Sequence, residues 1–153
     1  MTDAELIGLL ARACERLVGS IFAALDAEGF DGLSTTQALA VRMLAGQPMT
    51  ARALAENLGV TPQAASGIAA DLERRGLAVR GRDPHDARAR PLDLTEAGRH
   101  VAATMHRAES ASIGQWAAVA RPGDLEATAR ALQAYLDATQ APRTPQPRRM
   151  RFN

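Results

Sequence analysis

Gly59, Val60, Thr61 and Pro62 set a helix stop and a helix start one residue apart. Glycine readily takes the left-handed turn that ends a helix, a threonine hydroxyl caps an N-terminus, and proline suits the first helical position, where its missing N–H would find no partner anyway. Such punctuation requires two helices joined by a tight turn. Upstream, Thr50 can cap a short helix with Ala51, Leu54, Ala55 and Leu58 facing inward. Downstream, Ala65, Ile68, Ala69 and Leu72 recur at three-to-four-residue spacing until Gly76 supplies the next stop. The pair reads as a helix-turn-helix.

The rest of the chain is read outward from this motif. A first helix is expected from about Thr2 or Asp3 to Glu28, with Leu6, Leu10, Cys14, Leu17, Ile21 and Leu25 in one stripe and Gly29 ending it. A second starts after Ser34 or Thr35 and stops at Gly46, with Leu39, Val41, Met43 and Leu44 as its apolar mass. Beyond Gly76 the period changes to two: Leu77 and Val79 alternate with Ala78 and Arg80, and Leu92 and Leu94 with Pro91 and Asp93, as in two short strands around a polar loop. Thr95 caps a long helix carrying Val101, Met105, Ala108, Ser112, Trp116 and Val119. Asp124 opens a last one with Leu125, Ala129, Leu132 and Leu136. The fold class is therefore mainly α: a winged helix-turn-helix with a small β-wing, flanked by N- and C-terminal helices. Its expected parts are an N-terminal dimerisation helix over 1–31, the DNA-binding winged helix over 32–98, C-terminal dimerisation helices over 99–141, and a disordered basic tail over 142–153 that contains Pro142, Pro145 and Pro147.

Charge locates the expected contact. The 153 residues, 46% hydrophobic and 23% charged, suit one soluble globular domain with a formal net charge of +1, and all 18 bases are arginine. Residues 74–90 hold six Arg against Asp83 and Asp86, a local +4, and 142–153 hold four Arg and no acid, which leaves −7 on the remainder. An acidic body with two basic segments points to a directed polyanion contact. A single cysteine, Cys14, excludes an intramolecular disulfide. Acidic Asp3 and Glu5 stand where a secretory signal would be basic, and no stretch approaches the length of a membrane span, so the expected location is the cytoplasm.

On the helix after Pro62, Gln63, Ser66, Gly67, Ala70 and Arg74 fall opposite the apolar face. Small residues let a helix backbone approach the floor of the major groove; Gln63 suits adenine, Ser66 either base type, and Ala64 or Ala70 a thymine methyl. An Ala-rich helix in an Ala-rich chain has no such meaning alone. The wing arginines behind it, Arg80, Arg82, Arg88 and Arg90, supply the second feature, because guanidinium groups are attracted by the minor groove. Asp86 could fold back on one of them, or simply form a turn.

From Gly59 to Gly98 these residues resemble the MarR (multiple antibiotic resistance regulator) family. The resemblance rests on Asp71-Leu72-Glu73-Arg74-Arg75-Gly76-Leu77, Arg80, Asp83-Pro84-His85-Asp86-Ala87-Arg88-Ala89 and Leu94-Thr95-Glu96-Ala97-Gly98. It implies an obligate homodimer, a recognition helix in each of two major grooves, and a wing arginine in the minor groove, with Asp86 and Arg88 on the family's Asp-x-Arg motif. Many members carry an arginine where this chain has Gly67, which shifts base reading toward Gln63, Ser66 and the wing. The expected DNA-binding residues are Thr61, Gln63, Ala64, Ser66, Gly67, Arg74, Arg82, Asp86, Arg88 and Arg90. The family's usual effector pocket lies between winged helix and dimer helices, where Phe30, Met43 and Trp116 are candidates, though packing is the commoner fate of such side chains.

The expected function is a sequence-specific double-stranded DNA-binding transcription regulator, a repressor released by a small molecule, which acts as a cytoplasmic homodimer on a palindromic operator. The apolar stripes exceed what a winged helix of about 65 residues can cover, which argues for the dimer independently. Two alternatives stand beside it: a peroxide sensor using Cys14, and a winged helix serving protein contacts. Cys14 lies on the apolar stripe and is expected to be a buried, inert hydrophobe without a resolving cysteine. Salt would separate DNA binding from an apolar protein interface. No phosphate-binding glycine loop, nucleophile elbow or metal spacing is present, so an enzyme, a cofactor and a metal are not expected; His85, His100 and His106 do not form a ligand set.

Overall fold

A computed structural model describes residues 2–81 and 90–139. The order is α1 (Asp3–Ala27), α2 (Thr35–Gly46), α3 (Ala51–Leu58), α4 (Pro62–Arg74), β1 (Ala78–Arg80), β2 (Leu92–Leu94), α5 (Glu96–Ala117) and α6 (Asp124–Thr139). Two compact units result, one ending at Ser112 and one beginning at Ile113. The wing tip over 82–89 and the tail expected over 142–153 lie outside the described residues. Among the described residues no helix is long and apolar enough to cross a membrane.

Every helix start in the first unit has a hydroxyl cap. Thr2 and Glu5 form a reciprocal capping box on α1, as do Ser34 and Gln37 on α2; the hydroxyls of Thr50 and Thr61 accept from Ala53 and Ala64 N–H on α3 and α4. The stops are equally local. Gly76, at φ +70°, lets its own N–H reach the Glu73 carbonyl at 2.9 Å and the Leu77 N–H reach the Leu72 carbonyl at 2.9 Å. This Schellman closure satisfies two end carbonyls of α4 and folds Leu77 back over Leu72. Thr95 then fastens the helix end to α5: its N–H donates to Leu77 O at 3.0 Å and its hydroxyl to Gly76 O at 2.6 Å, while that hydroxyl also accepts from Gly98 N–H at 3.1 Å.

The core gathers one face of each element in the first unit. Leu25 of α1, Ala40, Val41 and Leu44 of α2, Leu54 of α3, Ala69 and Leu72 of α4, Leu77, Leu92, Leu94, and Val101 and Met105 of α5 are all buried in one cluster. β1 and β2 pair antiparallel with Ala78 opposite Leu94 and Arg80 opposite Leu92, and Met49 bridges the far edge of β2.

Four expectations about packing are corrected. Val79 is exposed and Ala78 buried, because Leu77 belongs to the α4 closure and the strand alternation starts one residue later. Leu39 is exposed, because the core-facing side of α2 runs through Ala38, Val41 and Leu44. The long helix stops at Ala117, so Val119 lies outside it and is exposed. Cys14 is exposed and not buried: the α1 stripe enters the core only near its C-terminal end, at Ile21 and Leu25, while Leu6 and Leu10 remain about 44% and 43% exposed. In the second unit, α6 buries no residue, and Leu132, Tyr135 and Leu136 are all exposed.

Candidate nucleic-acid interface

α4 divides sharply into two sides. Ala65, Ala69 and Leu72 have essentially no exposed surface, with Ile68 packed at their margin. Thr61, Gln63, Ala64, Ser66, Gly67, Ala70 and Arg74 are exposed. α3 holds this helix from behind through Leu54 and Ala55, and the turn between them is closed by Gly59, in the left-handed region at φ +69°, with the Val60 N–H on the Ala55 carbonyl at 3.1 Å. A Cβ at Gly67 would meet nothing within 4 Å, so the outward face there is open space.

The arginines near this face differ in their surroundings. Arg74 donates to Asp71 Oδ1 at 2.6 Å, and Asp71 Oδ2 accepts from the nearly buried Gln37 amide at 3.3 Å. Gln37 is fixed at its other end, where its Oε1 accepts from the Ser34 N–H at 2.9 Å. Arg80 reaches back across the turn to Glu73 Oε2 at 2.9 Å. Arg75 instead donates to the carbonyls of Asp31 (3.2 Å) and Gly32 (2.7 Å), tying the end of α4 to the loop after α1. Arg90 is exposed beside β2. Arg82, Asp86 and Arg88 lie outside the described residues, as does His85.

From the sequence, Gln37 is given no role, and Asp71, Glu73 and Arg75 are named only within a motif, without their partners. The i,i+3 spacing of Asp71 and Arg74 was a usable sign. The Glu73–Arg80 and Gln37–Asp71 pairs join separate elements, and no local spacing announces them.

The candidate effector residues are placed as follows. Phe30 is half-buried against the core, its ring tilted on His100 with centroids 5.5 Å apart, and it lines a shallow hollow with Leu33, Arg75 and Leu77. Met43 packs on the core, and Trp116 is half-buried in the second unit. Behind Phe30, Glu28 pairs with both His100 and Arg107. The hydrogen bond from His100, seconded by those from Arg107 and Thr104, outweighs partial desolvation and holds the Glu28 carboxyl below the usual carboxylate range. A separate hollow of about 320 Å³ opens between α2 and α5, lined by Arg42, Ala45, Gly46, Ala102, Met105, His106 and Glu109, with Arg42 paired to Glu109. No group of three metal-ligating side chains occurs among the described residues.

Two short helices turned at a left-handed glycine, a polar outer face on the second, and a two-stranded antiparallel sheet directly behind define a winged helix-turn-helix protein. The MarR family model matches residues 31–89, the stretch that holds α2 to α4 and β1. Among solved structures, it is similar to CouR from Rhodococcus jostii RHA1 bound to p-coumaroyl-CoA, at 28% identity over 89% of this chain and 95% of that one, with a TM-score of 0.65. It is also similar to the Mycobacterium tuberculosis MarR family protein Rv2887 in complex with salicylic acid, at 27% identity over 83% and 93%, TM-score 0.57. A variant of S. aureus MepR bound to an oligodeoxyribonucleotide shares the fold at 17% identity over 92% and 99%, TM-score 0.61. No curated protein matches by sequence.

Proposed function

We propose that the chain is a sequence-specific double-stranded DNA-binding regulator, acting as a homodimeric repressor whose hold on a palindromic operator is released by a small molecule. The observation that carries this reading is the two-sidedness of α4: its apolar face is wholly used by the core, and its outer face is small, polar and open. Thr61, Gln63, Ala64, Ser66, Gly67 and Arg74 face the major groove in this reading, and Arg82, Asp86, Arg88 and Arg90 are its wing residues. The oligonucleotide complex of MepR supports DNA as the ligand class. The p-coumaroyl-CoA and salicylic acid complexes of CouR and Rv2887 support an aromatic, negatively charged small molecule as effector class. In this chain the α2/α5 hollow carries His106 and an Arg42 that is paired with Glu109; Phe30, Met43 and Trp116 do not line it and are separate candidates for effector contact.

Selection of duplexes from a random pool, followed by titration of the winner, tests the reading. Gln63→Ala should broaden the selected consensus, since a bidentate amide contact contributes about 1 to 3 kcal/mol of base discrimination; recovery of an unchanged consensus would remove Gln63 from the reading face. Arg88→Ala should weaken operator binding by about 1 to 3 kcal/mol with the assembly intact. Equal affinity of the variant and the parent would take the wing out of the contact.

A further inference from the structure

The basic segment behind the helix-turn-helix is less positive in three dimensions than in sequence. Counted from residue 74 to residue 90 it carries +4, but Asp71 and Glu73 stand just ahead of it, and from residue 71 the same stretch holds six arginines against four acids. The structure pairs these two acids with two of the arginines: Asp71 with Arg74 at 2.6 Å and Glu73 with Arg80 at 2.9 Å.

Their placement on α4 is symmetrical. At about 100° per residue, and taking Gln63 as the middle of the outward face, Asp71 falls roughly 80° to one side and Glu73 roughly 80° to the other. A helix lying in the major groove turns those two flanks toward the two phosphate backbones. Asp71 is also anchored from inside the protein, because Gln37 spends its carbonyl on the α2 cap and its amide N–H on Asp71 Oδ2. The carboxylate thus sits where the core puts it, and the arginine comes to the carboxylate.

We infer that Asp71 and Glu73, one on each flank of the reading helix, are specificity-determining residues that hold Arg74 and Arg80 as neutral pairs, and so suppress sequence-independent attraction to phosphate. This inference rests on the proposed DNA-binding function. Attraction to any duplex follows the number of phosphate counterions that free cations displace. A guanidinium already paired contributes little net charge, yet its remaining N–H donors stay available and oriented, so it can still favour the register in which a phosphate oxygen meets them. The acids weaken binding to arbitrary DNA more than binding to the correct site, and they widen the ratio between the two.

The full chain and its Asp71→Asn and Glu73→Gln variants are titrated with a random-sequence duplex and with the duplex selected by the parent protein, across a salt series. Each variant should bind the random duplex about fivefold more tightly near 0.1 M salt, with a log–log salt slope steeper by about one, and its ratio of selected to random affinity should fall. Asp71→Glu should restore the parental ratio. Unchanged random-duplex affinity and slope, or weaker binding to both duplexes, would overturn the inference. If Asp71→Asn fails to fold, Glu73→Gln at the opposite edge carries the same expectation, since Glu73 makes no tie to the α2 cap. A parent protein that binds neither duplex in a salt-dependent way would overturn the DNA-binding reading itself, an outcome distinct from parental binding that the variants leave unaltered.

Discussion

Replacing Gly98 by alanine should lower stability by about 3 kcal/mol or more, at the top of the range for overpacking, and bring the thermal midpoint down by roughly 10 °C. Gly98 lies in the first turn of α5, where an added Cβ would come 2.0 Å from the Leu77 carbonyl oxygen, 3.0 Å from its carbon and 3.1 Å from Leu94 Cδ2. The first of these is well inside any tolerable carbon–oxygen approach, and the oxygen cannot retreat cheaply. It accepts the Thr95 N–H at 3.0 Å, while the N–H of the same residue is committed to Leu72 at 2.9 Å. Alanine must therefore lift α5 off the end of α4 and break the Thr95 bonds that join them. Gly114 in the same helix provides the control, because a Cβ there meets nothing within 4 Å. Gly114→Ala should be stabilising by up to about 1 kcal/mol through helix propensity alone. Denaturant midpoints of the two variants moving in the same direction would contradict this account.

The same junction shows what could be read from sequence. Helix boundaries in the first unit were legible because each depends on a side chain within three or four residues: Thr2, Ser34, Thr50 and Thr61 cap where they stand, and Gly59 and Gly76 stop where they stand. The two faces of α4 followed from period alone. Legibility failed where a second element decided the outcome. Leu77 looks like the first residue of an alternating strand, but its N–H is drawn back to Leu72, which moves the alternation to Ala78 and turns Val79 outward. Arg74 and Arg80 look like free cations in a basic run, and their partners are fixed by Gln37 on α2 and by the turn after α4. Cys14 sits on a stripe whose spacing says buried, and spacing cannot tell which chain provides the cover.

That last point leads to the second large effect. For the homodimeric DNA-binding protein proposed above, Leu10→Glu should give a monomer at micromolar concentration and lower operator affinity by about two to four orders of magnitude, while leaving the winged helix folded. α1 is one continuous helix from Asp3 to Ala27, closed at its start by the Thr2–Glu5 box. Only its last two turns reach the core, where Leu25 is fully buried and Ile21 and Phe22 pack beside it. Leu6, Ile7, Leu9 and Leu10 are each at least 43% exposed, and Cys14 is exposed with them. Removing a leucine from water contributes about 1.5 to 3 kcal/mol, so this half of the helix holds a large unrealised gain, which a two-fold copy would collect twice through the same patch. A carboxylate in the middle of that patch costs several kcal/mol when desolvated without a partner and faces its own copy near the axis. The core cluster contains neither Leu10 nor its neighbours, so helicity by circular dichroism should persist in the separated chains. Loss of DNA affinity then follows from geometry: two half-sites held by one dimer gain about 10²- to 10⁴-fold over either alone, and a monomer forfeits that factor without losing a single contact of α4. Sedimentation velocity and operator titration read the two consequences separately. A Leu10→Glu protein that still sediments as a dimer would show that α1 is not the joining surface, whereas a monomer with parental affinity would show that one winged helix suffices for the site.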